Sequence, residues 1–422
     1  MTRRGAKGSI LYVTVDGVLQ QLGYSQVGRV ILGLARQGFR YHLLSLESPA
    51  DLADAARVNE LAARFAAQGI GWTRLAYDQR GSAVAAASNL TRLGQAVRSL
   101  VADHDIGLIH ARAYHAALVS LGAQRLLGVR YLFDARGRWI DERLLGGRWF
   151  TNPLVERGAR AVERQLYGHA AALVTLTQLH SDDIVNGDFG RYGGAPTRVV
   201  TTCADFDAFR LEKRQTVANG LTPLPPEISA RLAGKLVIGF VGSTNAFYRH
   251  EESFELASRL LARRPDAHLL ILSAQRREFV ELARRHQVPE QRFSVTTASH
   301  EAMPEWLARI DWSIQLLNGG VAKRGSMPTK LAEFFAAGVR PIHFGCNDEV
   351  SGWVERAGSG LVLRGLDRAE LDAAADFVAR SATPPELLAA ARERTRQHFD
   401  LASGLSSYRS LLGELGFEPG PA

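Results

Sequence analysis

The chain has 422 residues, of which 46% are hydrophobic and 22% charged, as is typical of globular proteins, and no long apolar run predicts a membrane span. Its net charge of +8 comes mainly from arginine and suits anionic substrates or an anionic membrane surface, whereas no basic patch with interleaved aromatic residues indicates nucleic acid. Two distant cysteines, Cys203 and Cys346, define neither a disulfide nor a metal site. We expect a cytoplasmic protein without a signal peptide, with the inner face of the membrane as a peripheral location.

The first half of the chain alternates predicted strands and helices. The strands are SILYVTVDG, FRYHLLSLE, GIGWTRLAY, IGLIHA, VRYLFDA, AALVTLT and TRVVTTCAD. The helices between them include SQVGRVILGLARQG, AALVSLGAQRLLG and a long helix from Pro153 to His169. This alternation is typical of a parallel, doubly wound sheet.

Residues 216–234, rich in proline and glycine, interrupt the alternation and predict a linker. The pattern then restarts with the strands KLVIGFVGS, HLLILS, RFSVTT, DWSIQLL and PIHF. We therefore expect an α/β fold with two Rossmann-like, doubly wound domains that face each other across a cleft. The predicted domains are residues 1–215, with a C-terminal helix at 402–422 packing back on them, and residues 216–401.

The stretch KRGSMPTKLAEFFAAG predicts a helix whose start faces a ligand. Ser326 is predicted to cap this helix, Pro328 suits its first turn, and Gly338 suits a left-handed end. The helix follows the strand DWSIQLL, at the sheet edge where open α/β folds bind ligands. Free N–H groups at the helix start favour an anion. Three bases add positive charge there: Lys323, Arg324 and Lys330.

Glu333 lies one turn after Thr329 and Lys330 and shares their face of the predicted helix. Beside bound phosphates, a carboxylate in this position can accept hydrogen bonds from both hydroxyls of a ribose. The alternative is an ordinary surface ion pair with Lys330, which is the commoner arrangement. Neither G-x-G-x-x-G nor a P-loop follows any predicted strand, so the ligand is expected to be anionic but held in another way.

Polar side chains follow two neighbouring strands in the first half of the chain. IHARAYH places His110, Arg112 and His115 after one strand, and YLFDAR places Asp134 and Arg136 after the next. Both loops lie at the expected ligand-binding edge of the sheet. We therefore predict that these five residues form a catalytic site. His110 alone would also fit a core position, whereas two unpaired arginines beside a cleft favour an anion.

The loop DGVLQQLGYSQVG follows the first strand and carries Gly23. A glycine here allows the backbone to approach a ligand closely. A plain turn with a packing glycine explains the same residue equally well.

Four segments in this order resemble glycosyltransferases of the GT-B fold, most closely the retaining family 4: ILYVTVDGVLQQLGYSQV, LIHAR, RVVTTCADFDAF and SMPTKLAEFFAAG. The resemblance covers nearly the whole chain. It implies that the C-terminal domain binds a nucleotide-sugar donor, UDP or GDP being favoured, and that the N-terminal domain binds the acceptor. It also implies transfer to a glycan, lipid-linked or natural-product acceptor, with retention and without metal or another cofactor, as in polysaccharide biosynthesis.

The residues implied to contact the donor are Gly23, Gly242, Ser243, Arg249, Lys323, Arg324, Ser326, Met327, Pro328, Thr329, Lys330 and Glu333. The oxygen that leaves the anomeric carbon as diphosphate needs stabilisation, which positive side chains and helix amides provide.

Several positions depart from the family pattern. Gly325 stands where the first glutamate of E-x7-E often lies, Ser243 where an arginine often follows, and Arg112 where a second histidine often lies. A usual lysine is missing near Arg249, and we expect Arg249, Lys323 and Arg324 to substitute for the lost positive charge. A sugar-nucleotide epimerase, an inverting transferase and an inactive GT-B binding subunit remain alternatives, the last because of Gly325.

Overall fold

The computed structural model describes residues 8–146, 152–209, 211, 224–299, 301–382 and 384–420. The chain divides into two compact units. One comprises the chain up to Thr201, the short segment Arg324–Ser326 and the chain from Gly404, and the other comprises Thr202–Lys323 and Met327–Ser403. The domain boundary predicted between residues 215 and 216 lies outside the described residues and stays a prediction.

The first unit contains a seven-stranded parallel sheet in the order β3-β2-β1-β4-β5-β6-β7. Its strands are β1 Ser9–Thr14, β2 Tyr41–Glu47, β3 Gly71–Ala76, β4 Ile106–Arg112, β5 Arg130–Ala135, β6 Ala172–Thr175 and β7 Thr197–Val199. The order reverses direction between β1 and β4, which makes the crevice beside their carboxyl ends the expected ligand position.

The helices of this unit are α1 Gln21–Gly23, α2 Arg29–Arg36, α3 Pro49–Ala53, α4 Ala55–Ala66, α5 Ala83–Asp103, α6 Ala113–Leu127, α7 Trp139–Leu145, α8 Pro153–His169 and α9 Gln178–Val185. The predicted bounds of the long helix α8 are confirmed: Asn152 caps it and Pro153 occupies its first turn. The predicted helix after the first strand begins earlier than expected, because α1 continues through a π-helical turn, Tyr24–Gly28, into α2.

The second unit contains a six-stranded parallel sheet in the order β10-β9-β8-β11-β12-β13. Its strands are β8 Leu236–Val241, β9 Ala267–Leu272, β10 Phe293–Thr296, β11 Trp312–Leu316, β12 Arg340–Phe344 and β13 Leu361–Val362. Its helices are α10 Pro226–Leu232, α11 His250–Arg263, α12 Arg276–Arg285, α13 Met303–Leu307, α14 Thr329–Ala337, α15 Asp348–Ala357, α16 Arg368–Arg380 and α17 Pro385–Phe399. The last helix is α18 Leu401–Glu414.

Both units are Rossmann-like, with nearly continuous apolar strands buried between helices. In β1, Ile10 and Tyr12 belong to the apolar layer on one face of the sheet, and Leu11 and Val13 to the layer on the other. The predicted parallel, doubly wound architecture is thereby confirmed. The last part of the predicted linker, residues 216–234, contains helix α10, which Pro226 opens. None of the described helices is long and apolar enough to cross a membrane.

Candidate functional site

The sheet of the second unit reverses its strand order between β8 and β11, and the loops that follow these strands are joined there. The backbone N–H of Arg249 donates to the carbonyl of Leu316 over 3.0 Å, and the Asn318 side-chain amide donates to the carbonyl of Ala246 over 2.7 Å. The loop after β8 is therefore fixed against the end of β11 at the ligand-binding edge.

Two of the loops at this edge pack so closely that they need glycine. A Cβ at Gly242 would lie 2.8 Å from the ring of Tyr248. A Cβ at Gly345, whose φ is +82°, would lie 2.0 Å from the carbonyl oxygen of Leu317. Ser243 contributes to the same loop, since its hydroxyl accepts a hydrogen bond of 2.8 Å from Asn245. These contacts give Gly242 and Ser243 a structural role in shaping the edge.

Helix α14 begins at this edge with Pro328 as its N-cap and Thr329 as its first residue. The predicted capping by Ser326 is wrong, because no side chain caps the helix and the Ser326 hydroxyl donates instead to Oε1 of Glu142 over 3.1 Å. The predicted left-handed end is confirmed by Gly338, with φ +66°. The side chain of Pro328 cannot cap the N–H groups of the first turn, and helix starts favour an anion in general.

Lys330 and Glu333 form an ion pair on the first turn of α14, with 2.8 Å between Nζ and Oε2. The ion pair weighed above as the alternative is therefore present, but it is not an ordinary surface pair. Glu333 is buried while part of Lys330 remains accessible. The pair therefore holds a cation and a carboxylate close together near the start of α14.

The three bases expected to replace lost positive charge have different surroundings. Nζ of Lys323 lies 4.2 Å from the centre of the Phe247 ring, which places this ammonium beside the β8–α11 loop. Arg249 stands at the N-cap of α11 in the same loop, 3.4 Å from Glu252. Arg324 clusters with the first unit.

Within the first unit, the guanidinium of Arg324 forms two hydrogen bonds of 2.5 and 2.9 Å with Asp183. Gly325 lies in the same short segment, and a Cβ there would be 2.8 Å from Nδ1 of His180 and 3.2 Å from Gly137. A glutamate at position 325 would thus clash with this packing. Arg324 is thus paired with Asp183 within the first unit, whereas Lys323 and Arg249 belong to the second unit.

Asp134 is the centre of a buried polar cluster at the carboxyl edge of the first sheet. Its Oδ1 accepts a hydrogen bond of 3.2 Å from Arg136, and its Oδ2 lies 3.6 Å from Nη1 of Arg112 and 3.8 Å from Nε2 of His110. The phenol of Tyr408 on α18 donates to the same Oδ2 over 3.1 Å. Four of the five predicted catalytic residues are therefore brought together.

The interpretation of Arg112 and Arg136 as unpaired arginines is wrong. Arg136 is paired with Asp134, and Nε of Arg112 donates to Oδ2 of Asp16 over 2.8 Å. This second ion pair joins the loops after β4 and β1 across the crevice of the first sheet. Each arginine thus has a carboxylate partner within the protein.

The electrostatics of this cluster follow from its burial. Burial raises the pKa of Asp134, but Arg136, His110 and Arg112 outweigh it and hold that pKa well below its usual range. Burial lowers the pKa of His110 more than Asp134 raises it, so the imidazole is neutral near pH 7. His110 and Asp134 are fully buried, whereas the side chains of Arg112 and Arg136 keep 7% and 14% of their surface accessible.

His115, the fifth predicted residue, lies apart from Asp134 on the first turn of α6. Its ring meets Trp139 edge to face, with 5.3 Å between the centroids. Burial, followed by the charge of Arg143, lowers the pKa of His115, which leaves a neutral imidazole near the start of α6. Ala113, the first residue of α6, has φ +64°, a costly conformation for a residue other than glycine.

Gly23 is explained by packing within the first unit. A Cβ there would lie 2.0 Å from the carbonyl oxygen of Gly17. The facing loop is held by the buried carboxylate of Glu47, which accepts hydrogen bonds of 3.0 and 3.1 Å from the N–H groups of Val18 and Leu19. No local pattern pointed to Glu47, Asp16 or Tyr408, because each acts through a partner that is distant in the chain.

The sequence and the fold of this chain were compared with those of known proteins. Residues 25–202 match the family model described as the glycosyl transferase 4-like domain. The sucrose-phosphate synthase of Thermosynechococcus elongatus is 14% identical, with 97% of this chain and 99% of its own covered and a TM-score of 0.66. HepE of Anabaena, solved with UDP and glucose, is 12% identical, with coverages of 96% and 100% and a TM-score of 0.67.

A putative UDP-N-acetylglucosamine 2-epimerase of Listeria monocytogenes is 11% identical, with coverages of 97% and 98% and a TM-score of 0.63. A search of curated proteins finds no match. At these identities the structural likenesses show the fold alone. They confirm the GT-B fold, and the resemblance to glycosyltransferases is supported by the family model matched at residues 25–202.

Proposed function

From the glycosyl transferase 4-like domain at residues 25–202 and the GT-B fold of the chain, we propose that this protein moves a sugar from a nucleotide-diphosphate sugar to an acceptor. The acceptor is a glycan, a lipid-linked molecule or a natural product. Transfer retains the anomeric configuration and uses neither a metal ion nor another cofactor. We place the reaction in the cytoplasm, with peripheral contact to an anionic membrane.

The observation that carries this proposal is the start of α14. This helix start lies at the carboxyl edge of the second sheet, and the paired Lys330 and Glu333 follow within about one turn. In the proposed complex the helix amides and Lys330 bind the diphosphate, and Glu333 accepts hydrogen bonds from the ribose hydroxyls. Met327, Pro328 and Thr329 shape the approach to the helix.

Lys323 and Arg249 supply further positive charge in this proposal. Both belong to the second unit and both are associated with the β8–α11 loop. As the bond to the leaving diphosphate breaks, negative charge grows on its oxygens, and nearby cations and amides lower the barrier. In the first unit, Arg112, Arg136 and His115 are proposed to meet the acceptor, while Asp134 and His110 hold the arginines in place.

UDP is the favoured donor nucleotide, with GDP next. HepE, which shares the fold, was solved with UDP and glucose. A second candidate function is sugar-nucleotide epimerisation, because a putative epimerase also shares the fold over nearly the whole chain. An epimerase releases a changed nucleotide sugar without any acceptor, so product analysis separates the two.

The test is a thermal-shift panel with UDP, GDP, ADP, dTDP and CDP on the wild type, on Glu333→Ala and on Glu278→Ala. Glu278 is an exposed carboxylate on α12 of the same unit and serves as the matched control. A ligand at one hundred times its dissociation constant stabilises the folded state by about 2.7 kcal/mol. We expect one nucleotide to stabilise the wild type and the control but not Glu333→Ala. Equal stabilisation of all three proteins contradicts the proposed site.

A further inference from the structure

Helix α8 of the first unit has an apolar outer face. Its inner face is formed by Glu163, Leu166 and Tyr167, which are buried. Leu154, on the side opposite Glu163, is 72% exposed, and Val155 and Val162, on one flank of the helix, are 54% and 43% exposed. Spacings of seven and eight residues bring Val162 to the same side of the helix as Leu154 and Val155. An amphipathic helix normally turns such residues inward, so this face needs an explanation.

The charges on the outer face are all positive. Arg157 and Arg164 are exposed beside the apolar residues. The two carboxylates of α8 belong to the inner side, where Arg160 lies 3.7 Å from Glu156 and 3.1 Å from Glu163. We define the α8 outer face as Leu154, Val155, Arg157, Val162 and Arg164. Within the described residues of α8, this face therefore combines apolar groups and cations without a neutralising carboxylate.

The neighbouring helix α7 exposes side chains of the same two kinds. An ion pair between Asp141 and Arg160 holds α7 beside α8. The last turn of α7 exposes Arg143 and Leu145, the latter to 61%. The same combination of an apolar side chain and an arginine is thus repeated on the neighbouring helix.

We propose that the α8 outer face docks on the surface of a lipid bilayer that contains anionic lipid. Leu154, Val155 and Val162 enter the boundary between headgroups and acyl chains, while Arg157 and Arg164 pair with lipid phosphates. The bilayer fits better than a second copy of the chain. A two-fold contact through this face would place the same arginines of two molecules against one another, which is unfavourable.

This inference rests on the membrane contact in the proposed function and names the surface that makes it. Vesicle binding is measured without any sugar nucleotide, so this test is independent of the proposed sugar transfer. It is tested by flotation of the full chain with vesicles of phosphatidylcholine, with and without phosphatidylglycerol, at low and at high salt. The variants are Leu154→Glu/Val162→Glu, Arg157→Gln/Arg164→Gln and the control Phe377→Glu. Phe377 is an exposed apolar residue, 47% accessible, on α16 of the second unit.

We expect the wild type and Phe377→Glu to float with vesicles that contain phosphatidylglycerol and not with phosphatidylcholine alone. Leu154→Glu/Val162→Glu should lower the partition coefficient about tenfold or more, because two of the three apolar anchors are lost and two negative charges face the anionic lipid. Arg157→Gln/Arg164→Gln should lower it several-fold at low salt and little at high salt.

Three outcomes overturn the proposal. The first is a wild type that does not bind the anionic vesicles, and the second is Leu154→Glu/Val162→Glu binding as the wild type does. The third is a wild-type dimer, seen by light scattering, that this variant converts to monomer, which assigns the face to a second copy. If circular dichroism shows that the glutamate variant is unfolded, Arg157→Gln/Arg164→Gln decides: a loss of salt-sensitive binding supports the proposal, and unchanged binding overturns it.

Discussion

The phenol of Tyr408 donates a hydrogen bond of 3.1 Å to the carboxylate of Asp134, 274 residues earlier in the chain. Tyr408 lies on α18, the last helix, and Asp134 lies near the end of β5 in the first sheet. Both side chains are buried. The C-terminal helix therefore completes the polar cluster that holds Arg112 and Arg136 at the sheet edge.

Tyr408→Phe should destabilise the first unit. The substitution removes one hydrogen bond to a buried, charged carboxylate, and such a bond is worth about 1.5–3 kcal/mol. Urea unfolding of the variant and the wild type measures the difference. The control is Tyr24→Phe, whose phenol accepts from the exposed guanidinium of Arg64 over 2.7 Å and should cost less than about 1 kcal/mol. Equal losses of unfolding free energy in the two variants would show that the buried hydrogen bond to Asp134 contributes no more than the exposed one.

Gly23→Ala should be strongly destabilising, because the new Cβ would lie 2.0 Å from the carbonyl oxygen of Gly17 and backbone must move. We expect a loss of about 2 kcal/mol or more, as for other overpacked sites. Gly122→Ala is the matched control, since a Cβ at this helical position meets nothing within 4 Å. There alanine should gain about 0.5–1 kcal/mol through its higher helix propensity. A neutral Gly23→Ala would refute the packing explanation and favour a ligand contact.

The sequence was informative wherever the signal is local. The bounds of α8 followed from Pro153 at its start and from its period, and the end of α14 followed from Gly338. The apolar strands of both sheets could be recognised because buried parallel strands are nearly continuous apolar runs. By contrast, β13 is two residues long, too short for any pattern to show.

The position of the candidate site could be predicted from the sequence, but most contacts within it could not. Parallel-sheet topology puts strand ends on one edge, so His110, Arg112, Asp134 and Arg136 were expected together. Their pairing was not visible, because the partners Asp16 and Tyr408 are 96 and 274 residues away. The prediction that Ser326 caps α14 was wrong for the same reason. Its hydroxyl donates a hydrogen bond to Glu142, which lies 184 residues earlier in the chain. Local rules describe what a side chain can do, whereas tertiary contacts decide which option it takes.

Exchanging the charges of Lys330 and Glu333 should separate stability from donor binding. Each single reversal, Lys330→Glu or Glu333→Lys, puts like charges at the 2.8 Å contact and should cost about 1 kcal/mol or more, because Glu333 is buried. The double variant restores an ion pair and should recover most of that stability. It places a carboxylate where the diphosphate is proposed to bind, so nucleotide stabilisation in thermal shift should stay lost. Recovery of nucleotide binding together with stability would mean that the pair has only a structural role.

The buried imidazole of His268 should make the second unit sensitive to acid. His268 lies on β9, and its Nε2 is 3.0 Å from the Ser294 hydroxyl. Burial, followed by the charges of Arg231 and Arg292, lowers the pKa of His268 to about 4. The unfolded chain takes up a proton as the pH falls through about 6.5, while the folded unit does not, so stability is complete above that pH and declines below it.

At pH 5 the loss attributable to His268 should be roughly 2 kcal/mol. Urea unfolding at pH 7 and pH 5 measures it, with His268→Gln expected to show a smaller difference between the two pH values than the wild type. His169→Gln is the control, because that histidine is exposed at the end of α8 in the first unit. If His268→Gln loses as much stability as the wild type between pH 7 and pH 5, then His268 is protonated in the folded protein, and its lowered pKa is refuted.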